Sequence, residues 1–195
     1  MEISELNFTT IFNVLDPAGQ LMNTHKNKLI SKMEVLTLSE KTHLLRPDKI
    51  CKDIYFVLDG FIMYYEQTGK QKQHINFFQA NEFIIGTPSL VTPGTTNAGL
   101  FCQNKAIVMH INFHAWMSIC EEEPFITELM NTYNVKQVLK NLNRNRILMK
   151  GKIKNRLHTF NKEYPGVINF VSQKYLGDLM GVTEQAISKA KSRMS

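Results

Sequence analysis

Polar side chains that can bond the edges of nucleobases are concentrated in the last fifteen residues, GVTEQAISKAKSRMS. Gln can bond adenine through two contacts, Glu accepts from cytosine, Lys reaches the acceptors of guanine, and Ser serves as donor or acceptor. Lys and Arg side chains around such an edge hold backbone phosphates, as expected here of Lys174, Lys191 and Arg193. The residues predicted to contact double-stranded DNA are Lys174, Thr183, Glu184, Gln185, Ser188, Lys189, Ser192 and Arg193.

The segment 172–194 has the pattern of two short helices joined by a tight turn. Leu176 and Leu179 would form the inner face of the first helix, and Ile187 and Ala190 that of the second. Gly181 suits the turn, and a Thr two residues later suits the N-cap of the second helix. In a helix-turn-helix the second helix enters the major groove. The alternative is a solvated helical hairpin that closes a small bundle.

The charges of the chain are divided unevenly along its length. Residues 1–123 contain 10 Lys and Arg against 13 Asp and Glu, a net charge of −3, whereas residues 124–195 contain 13 against 4, a net charge of +9. A basic C-terminal part favours a polyanionic partner such as nucleic acid. The chain has neither a signal-peptide pattern nor an apolar run that could span a membrane, so we expect a cytoplasmic protein without a membrane partner.

Short apolar runs separated by turn residues fill the middle of the sequence, which predicts an antiparallel sandwich or barrel. Asp59–Gly60 between two such runs predicts a hairpin. Residues 5–31 have a helical pattern, and so do about 124–145 and the stretch that follows, as far as about 163. The 124–145 helix has a long apolar stripe, which favours a homodimer paired through this helix.

The order of these patterns resembles the Crp/Fnr family of transcription regulators. The similarity lies in KDIYFVLDGFIMYYEQTGKQKQHINFFQANEFIIG (52–86) and VSQKYLGDLMGVTEQAISKAKSRM (171–194). It implies an α+β fold with three parts: a cyclic-nucleotide-binding-type β-roll (double-stranded β-helix or jelly-roll type) with flanking helices over 1–123, a dimerisation helix and hinge over 124–148, and an all-α helix-turn-helix domain over 149–195. It also implies a sequence-specific DNA-binding regulator, with RNA polymerase as a further candidate partner.

Two features depart from the pattern of that family. The window 83–101 contains no Lys or Arg, although the family uses a cation to hold a cyclic phosphate, so we do not expect cyclic AMP to bind. Since the sequence ends at Ser195, we expect the helix-turn-helix to lack a full wing. No cofactor is expected, apart from an unidentified small-molecule effector. The residues predicted to line its pocket are Glu82, Gly86, Thr87, Ser89, Thr95 and Thr96.

Other functions are less well supported by the residues. A non-DNA-binding module that senses a ligand or binds a protein, with a degenerate C-terminal domain, is the main alternative. A β-barrel metalloenzyme would bind metal near His74 or His110, but the HxH pair of such sites is missing. No catalytic residue and no metal ligand is therefore predicted, and the protein is not expected to be an enzyme.

Overall fold

The structure is a computed structural model that describes residues 3–85 and 94–193. Its architecture is α+β: two antiparallel sheets flanked by helices, one long helix, and a helical C-terminal region. Among the described residues, no helix combines the length and apolarity that crossing a membrane requires.

Within the described residues, eight strands form two four-stranded antiparallel sheets, together called the β-roll, with strand orders β1-β8-β3-β6 and β2-β7-β4-β5. Each predicted apolar run of the middle region forms one of these strands. Their bounds are β1 Met33–Leu38, β2 His43–Leu45, β3 Asp53–Asp59, β4 Phe61–Thr68, β5 Gln71–Gln79, β6 Glu82–Ile84, β7 Ala98–Cys102 and β8 Ala106–Asn112.

The hairpin predicted at Asp59–Gly60 is wrong. β3 and β4 belong to different sheets, so this turn carries the chain from one sheet to the other. Gly60 has φ +89°, and a Cβ there would lie 2.8 Å from the carbonyl oxygen of Lys105. The glycine is needed because the chain entering β8 approaches the corner closely. The turn around Gly69 does form a hairpin, since β4 pairs with β5.

The helices are, in chain order, α1 Ile3–Leu15, α2 Asn23–Ile30, α3 Phe113–Glu122, α4 Pro124–Met149, α5 Ile153–Glu163, α6 Val167–Phe170, α7 Gln173–Met180 and α8 Glu184–Lys191. The helical region predicted at 5–31 is thus two helices. The break follows from Pro17 and from Gly19, which has φ +69°. The carboxylate of Asp16 also accepts a hydrogen bond of 2.6 Å from the backbone N–H of Leu21, which fixes the turn.

The long helix α4 begins at Pro124, as predicted, and ends four residues later than the predicted end. Its 26 residues span about 39 Å. Its first half packs on the β-roll through Ile126, Met130 and Tyr133. Its second half is apolar on an outward face, where five side chains are 58–62% exposed: Val135, Val138, Leu139, Leu142 and Met149.

In the part of the chain that the structure describes, the buried apolar side chains form two clusters. The first joins both sheets to α1, α2, α3 and the first half of α4. The second is built from α5, α6, α7 and α8 together with Leu148, and it includes two β-roll residues, Met63 of β4 and Phe77 of β5. The C-terminal helices therefore pack directly against one sheet of the β-roll.

Candidate nucleic-acid interface

Local capping residues define the two helices of the C-terminal pair. Ser172 caps α7, since its hydroxyl accepts from the N–H of Tyr175 at 3.2 Å. Gly181 ends α7 with φ +62°, the left-handed conformation that glycine adopts at least cost. Thr183 caps α8 by accepting from the N–H of Ala186 at 3.2 Å, as predicted. These three residues fix the two helix ends and the turn between them.

Gly177, which sequence reasoning did not single out, determines how closely α7 approaches the start of α8. A Cβ at this position would lie 2.7 Å from the carbonyl oxygen of Val182 and 3.4 Å from the N–H nitrogen of Glu184. The sequence did contain a signal for this close approach. A glycine in the middle of a helix costs about 1 kcal/mol relative to Ala, so its presence there indicates that a larger side chain would not fit.

The outer face of α8 is polar and accessible. Ile187 is fully buried and Ala190 is 7% exposed, so the inner face is the predicted one. All eight residues predicted to contact DNA lie on the exposed surface: Lys174, Thr183, Glu184, Gln185, Ser188, Lys189, Ser192 and Arg193. The structure thus brings seven of them together on and beside α8, with Lys174 on the first turn of α7.

Lys191, which was expected to hold a backbone phosphate, has a hydrogen-bond partner inside the protein. Its side chain is half-buried and its Nζ donates to the carbonyl oxygen of Ile168 at 3.1 Å. Burial lowers the pKa of this ammonium group. Helical spacing explains the difference, because Lys191 is four residues after the buried Ile187 and shares its face.

A buried histidine of β5 attaches α7 to the β-roll. Asp178 accepts from the His74 ring Nδ1 at 2.7 Å and from the His74 backbone N–H at 3.2 Å, and the Tyr175 ring lies 3.7 Å from the imidazole, centroid to centroid. Because a carboxylate oxygen only accepts, Nδ1 carries the hydrogen. Burial lowers the pKa of His74, and the hydrogen bond to Asp178 opposes that shift.

Phe77 and Arg144 make a second connection between the β-roll and the C-terminal helices. The Phe77 ring packs edge-on against Phe160 and Tyr164, at centroid distances of 5.8 and 5.6 Å. The Arg144 guanidinium lies 4.2 Å from the centroid of the Phe77 ring and donates to the Phe77 carbonyl oxygen at 2.8 Å. These contacts hold α4, α5 and the residue that follows α5 against β5 of the β-roll.

Glu82 was predicted to line an effector pocket, but its side chain is paired with cations of α4. It is 2% exposed, and one carboxylate oxygen lies 2.5 Å from Lys140 Nζ and 3.5 Å from the Arg144 guanidinium. Its other oxygen accepts from the Gln79 N–H at 3.0 Å. The protein's own cations therefore satisfy this carboxylate.

The remaining predicted pocket residues divide into two groups. Thr96 is buried and its hydroxyl accepts from the Ala98 N–H at 3.0 Å, a local turn contact, whereas Thr95 is exposed. Gly86, Thr87 and Ser89 lie outside the described residues.

The histidines considered for metal binding have other neighbours. His110 lies 3.6 Å from both Glu34 and Asp53, and His74 is occupied by Asp178. Within residues 3–85 and 94–193, no group of three or more His, Cys, Asp or Glu side chains is arranged to hold a metal ion.

The two antiparallel sheets, the long helix and the helical C-terminal region match the β-roll fold of solved cyclic nucleotide-binding proteins and regulators. No protein-family model and no curated protein sequence matches the chain. Solved structures do match it, and they include Crp/Fnr-type transcription regulators.

Three of these structures illustrate the match. FixK2 from Bradyrhizobium japonicum has a TM-score of 0.66 at 11% identity, over 83% of this chain and 84% of that one. The c-di-GMP responsive global regulator CLP from Xanthomonas campestris has a TM-score of 0.66 at 16% identity, over 89% and 91%. The catabolite activator protein of Thermus thermophilus has a TM-score of 0.51 at 13% identity, over 95% and 86%. At these identities the likeness shows the fold.

Proposed function

We propose that the protein is a sequence-specific DNA-binding transcription regulator that acts as a homodimer. The observation that carries this proposal is the outer face of α8, where Glu184, Gln185, Ser188 and Lys189 are all exposed while Ile187 is fully buried. This is the arrangement that a recognition helix needs, because base edges are read by side chains that project into the major groove.

The net charge of residues 124–195, +9, supplies the sequence-independent part of the affinity. The fold likeness to Crp/Fnr-type regulators agrees with this proposal. RNA polymerase is a further candidate partner for such a role.

Binding to duplex DNA at a series of salt concentrations tests the proposal. The affinity should fall steeply with salt, and Lys189→Ala and Arg193→Ala should each weaken binding and reduce the steepness. Lys49→Ala is the matched control, because Lys49 is an exposed cation of the β-roll. A folded protein that binds no duplex at low salt would favour the alternative of a module that binds a ligand or a protein.

The dimer is proposed to form through the outward stripe of α4. Val135, Val138, Leu142 and Met149 follow one another at intervals of three, four and seven residues, the heptad spacing that brings side chains to one seam between paired helices. Leaving four such residues in water is unfavourable, since burying each is worth about 1.5–3 kcal/mol. Sedimentation equilibrium should show a dimer for the native chain and a monomer for Val138→Glu/Leu142→Glu, with Lys136→Ala as a dimeric control. A monomeric native chain would refute this part of the proposal.

For the β-roll, we propose that any effector is something other than a cyclic nucleotide. The support is the lack of Lys or Arg over 83–101 and the internal pairing of Glu82 with α4. A cyclic phosphate buried without a cation would be deprived of its strongest hydrogen bonds.

A further inference from the structure

A continuous basic surface begins at α8 and extends over α5 and the end of α4, two helices that carry none of the residues proposed to read bases. A groove of about 600 Å³ separates the first turn of α5 from α8, and its walls carry Lys152, Lys154, Lys189 and Arg193. Two shallower depressions continue it over α5 and the end of α4, where Arg146 and Lys150 join its lining. The three depressions are contiguous, because Asn155 lines all of them.

Among the residues that the structure describes, no Asp or Glu lines any of these three depressions. The sequence after residue 123 has four acids, and only Glu184 lies on α8. Asp178 is turned to His74 of the β-roll, Glu163 is at the far end of α5, and Glu128 is in the first half of α4. The positive charge of the surface is therefore not neutralised by carboxylates in its lining, and it attracts anions.

Other cations of this region are hydrogen-bonded to groups inside the protein, unlike those on the surface. Arg144 is bound to Phe77, and buried Arg156 donates to the carbonyl oxygens of Leu148 and Met180. By contrast, the side chains of Arg146, Lys150, Lys152 and Lys154 are exposed. Lys154 also holds the chain just after α8, since its Nζ donates to the carbonyl oxygen of Arg193 at 2.7 Å.

We propose that Arg146, Lys150, Lys152 and Lys154, the junction strip between α4 and α5, hold backbone phosphates of the duplex whose bases α8 reads. This inference rests on the proposed function. It divides recognition between two surfaces: the edge of α8 discriminates sequences, and the junction strip supplies affinity for any duplex. Because α4 is also the proposed dimer helix, the two strips of a dimer lie near its axis and contact phosphates between the half-sites.

The test uses the whole chain with the double substitution Lys150→Ala/Lys152→Ala. Lys154 is left unchanged because it also holds the end of α8. Lys162→Ala is the matched control: it is exposed and on the same helix as Lys154, but outside the three depressions. Gln185→Ala serves as the base-edge variant. Dissociation constants are measured from ~50 to ~300 mM salt for a preferred duplex and a scrambled duplex of equal length.

The double variant should bind both duplexes more weakly by the same factor. Its slope of log affinity against log salt should fall by about 0.9 for each phosphate that is no longer bound, hence by up to about 3.6 in a dimer. Lys162→Ala should retain the native slope, and Gln185→Ala should weaken binding mainly to the preferred duplex. The melting temperature and the dimer state of each variant establish that it is folded.

Two results would overturn the inference in distinguishable ways. If the native chain binds DNA and the double variant keeps its affinity and salt slope, the junction strip holds no phosphates and the proposed function stands. If the native chain binds neither duplex at the lowest salt, the proposed function fails and the inference fails with it.

Discussion

Glu82 and Glu184 are two glutamates that were both predicted to take part in recognition, and the protein uses them in opposite ways. Glu82 is 2% exposed, and its carboxylate is bound by Lys140 and Arg144 of α4. Glu184 is exposed on the first turn of α8, where the helix dipole favours a negative charge. One carboxylate holds the β-roll to the long helix, and the other remains available to an external partner.

The same difference holds for other polar side chains of the β-roll and of α8. The β-roll uses Glu82, Asn76 and His74 to bind α4 and α7, so these side chains connect parts of one chain. The polar edge of α8 makes local capping contacts through Thr183 and Ser192. An external ligand would therefore find accessible hydrogen-bonding groups on α8.

The largest expected effect is a difference in the free energy of unfolding between variants of the two glutamates. Glu82→Ala should lower the free energy of unfolding by about 3 kcal/mol or more, because it leaves the buried Arg144 guanidinium without its carboxylate. Glu184→Ala should change that free energy by less than about 0.5 kcal/mol, as is usual for exposed positions. Urea unfolding monitored by circular dichroism measures both. Equal losses for the two variants would show that Glu82 does not join the β-roll to α4 in this way.

A second prediction concerns the packing that supports α8, the helix proposed to read bases. Gly177→Ala should destabilise the protein by about 1–3 kcal/mol, because the added methyl group is forced against the Val182 carbonyl oxygen. In an unconstrained helix the same change would stabilise by about 1 kcal/mol, so the sign of the effect is diagnostic. Thermal denaturation gives the sign, and an increased melting temperature would mean that α7 and α8 are not packed this closely.

A third prediction follows from His74, whose pKa burial lowers below its ordinary value of 6.5. Below pH 6.5 the unfolded chain binds this proton more readily than the folded one, so stability is complete above pH 6.5 and falls as the pH drops below it. His74→Asn keeps an N–H donor for Asp178 but cannot titrate, and it should therefore lose less stability between about pH 8 and about pH 5.

The measured quantity is the free energy of unfolding as a function of pH over this range, compared between the native protein and the variant. His43 also has a lowered pKa, and it contributes a slope in the same direction to both. Identical pH profiles for the two proteins would contradict the assignment of this acid sensitivity to the contact between β5 and α7.

The weakest effect concerns ligand binding by the β-roll. Millimolar cyclic AMP should leave the melting temperature unchanged, because a ligand stabilises a protein only as far as it binds the folded state. An intact preferred duplex, added in the same assay, is the positive control and should raise the melting temperature. A clear increase with cyclic AMP would show that the lack of Lys and Arg over 83–101 was wrongly interpreted.

Much of the fold could be predicted from the sequence, because strand runs, caps and helix starts are local signals. The eight strands, the start of α4 at Pro124 and the cap at Thr183 are examples. These local patterns do not indicate which strands pair with one another. Asp59–Gly60 therefore looked like a hairpin, although the turn connects two sheets. The end of α4 was also placed too early, because a basic helical run has no signal for its end before Gly151.

The candidate site could be predicted as far as helical periodicity determines the direction of a side chain. Periodicity placed Gln185 and Ser188 outward and Ile187 inward, whereas Lys191 was assigned from its charge and is in fact held by Ile168. Partners from distant parts of the chain could not be foreseen. Glu82 meets Lys140 across 58 positions, and His74 meets Asp178 across 104, because only the fold brings them together.

Selection of bound sequences from random duplexes is the decisive experiment for base reading by α8, with the native chain and Gln185→Ala compared side by side. We expect the native chain to enrich an inverted repeat, with half-site centres about one helical turn or a multiple of it apart. Gln185→Ala should relax the preference at one position in each half-site. A folded dimer that enriches no sequence, or a variant that selects the same sequence as the native chain, would refute the proposal that the outer face of α8 reads DNA.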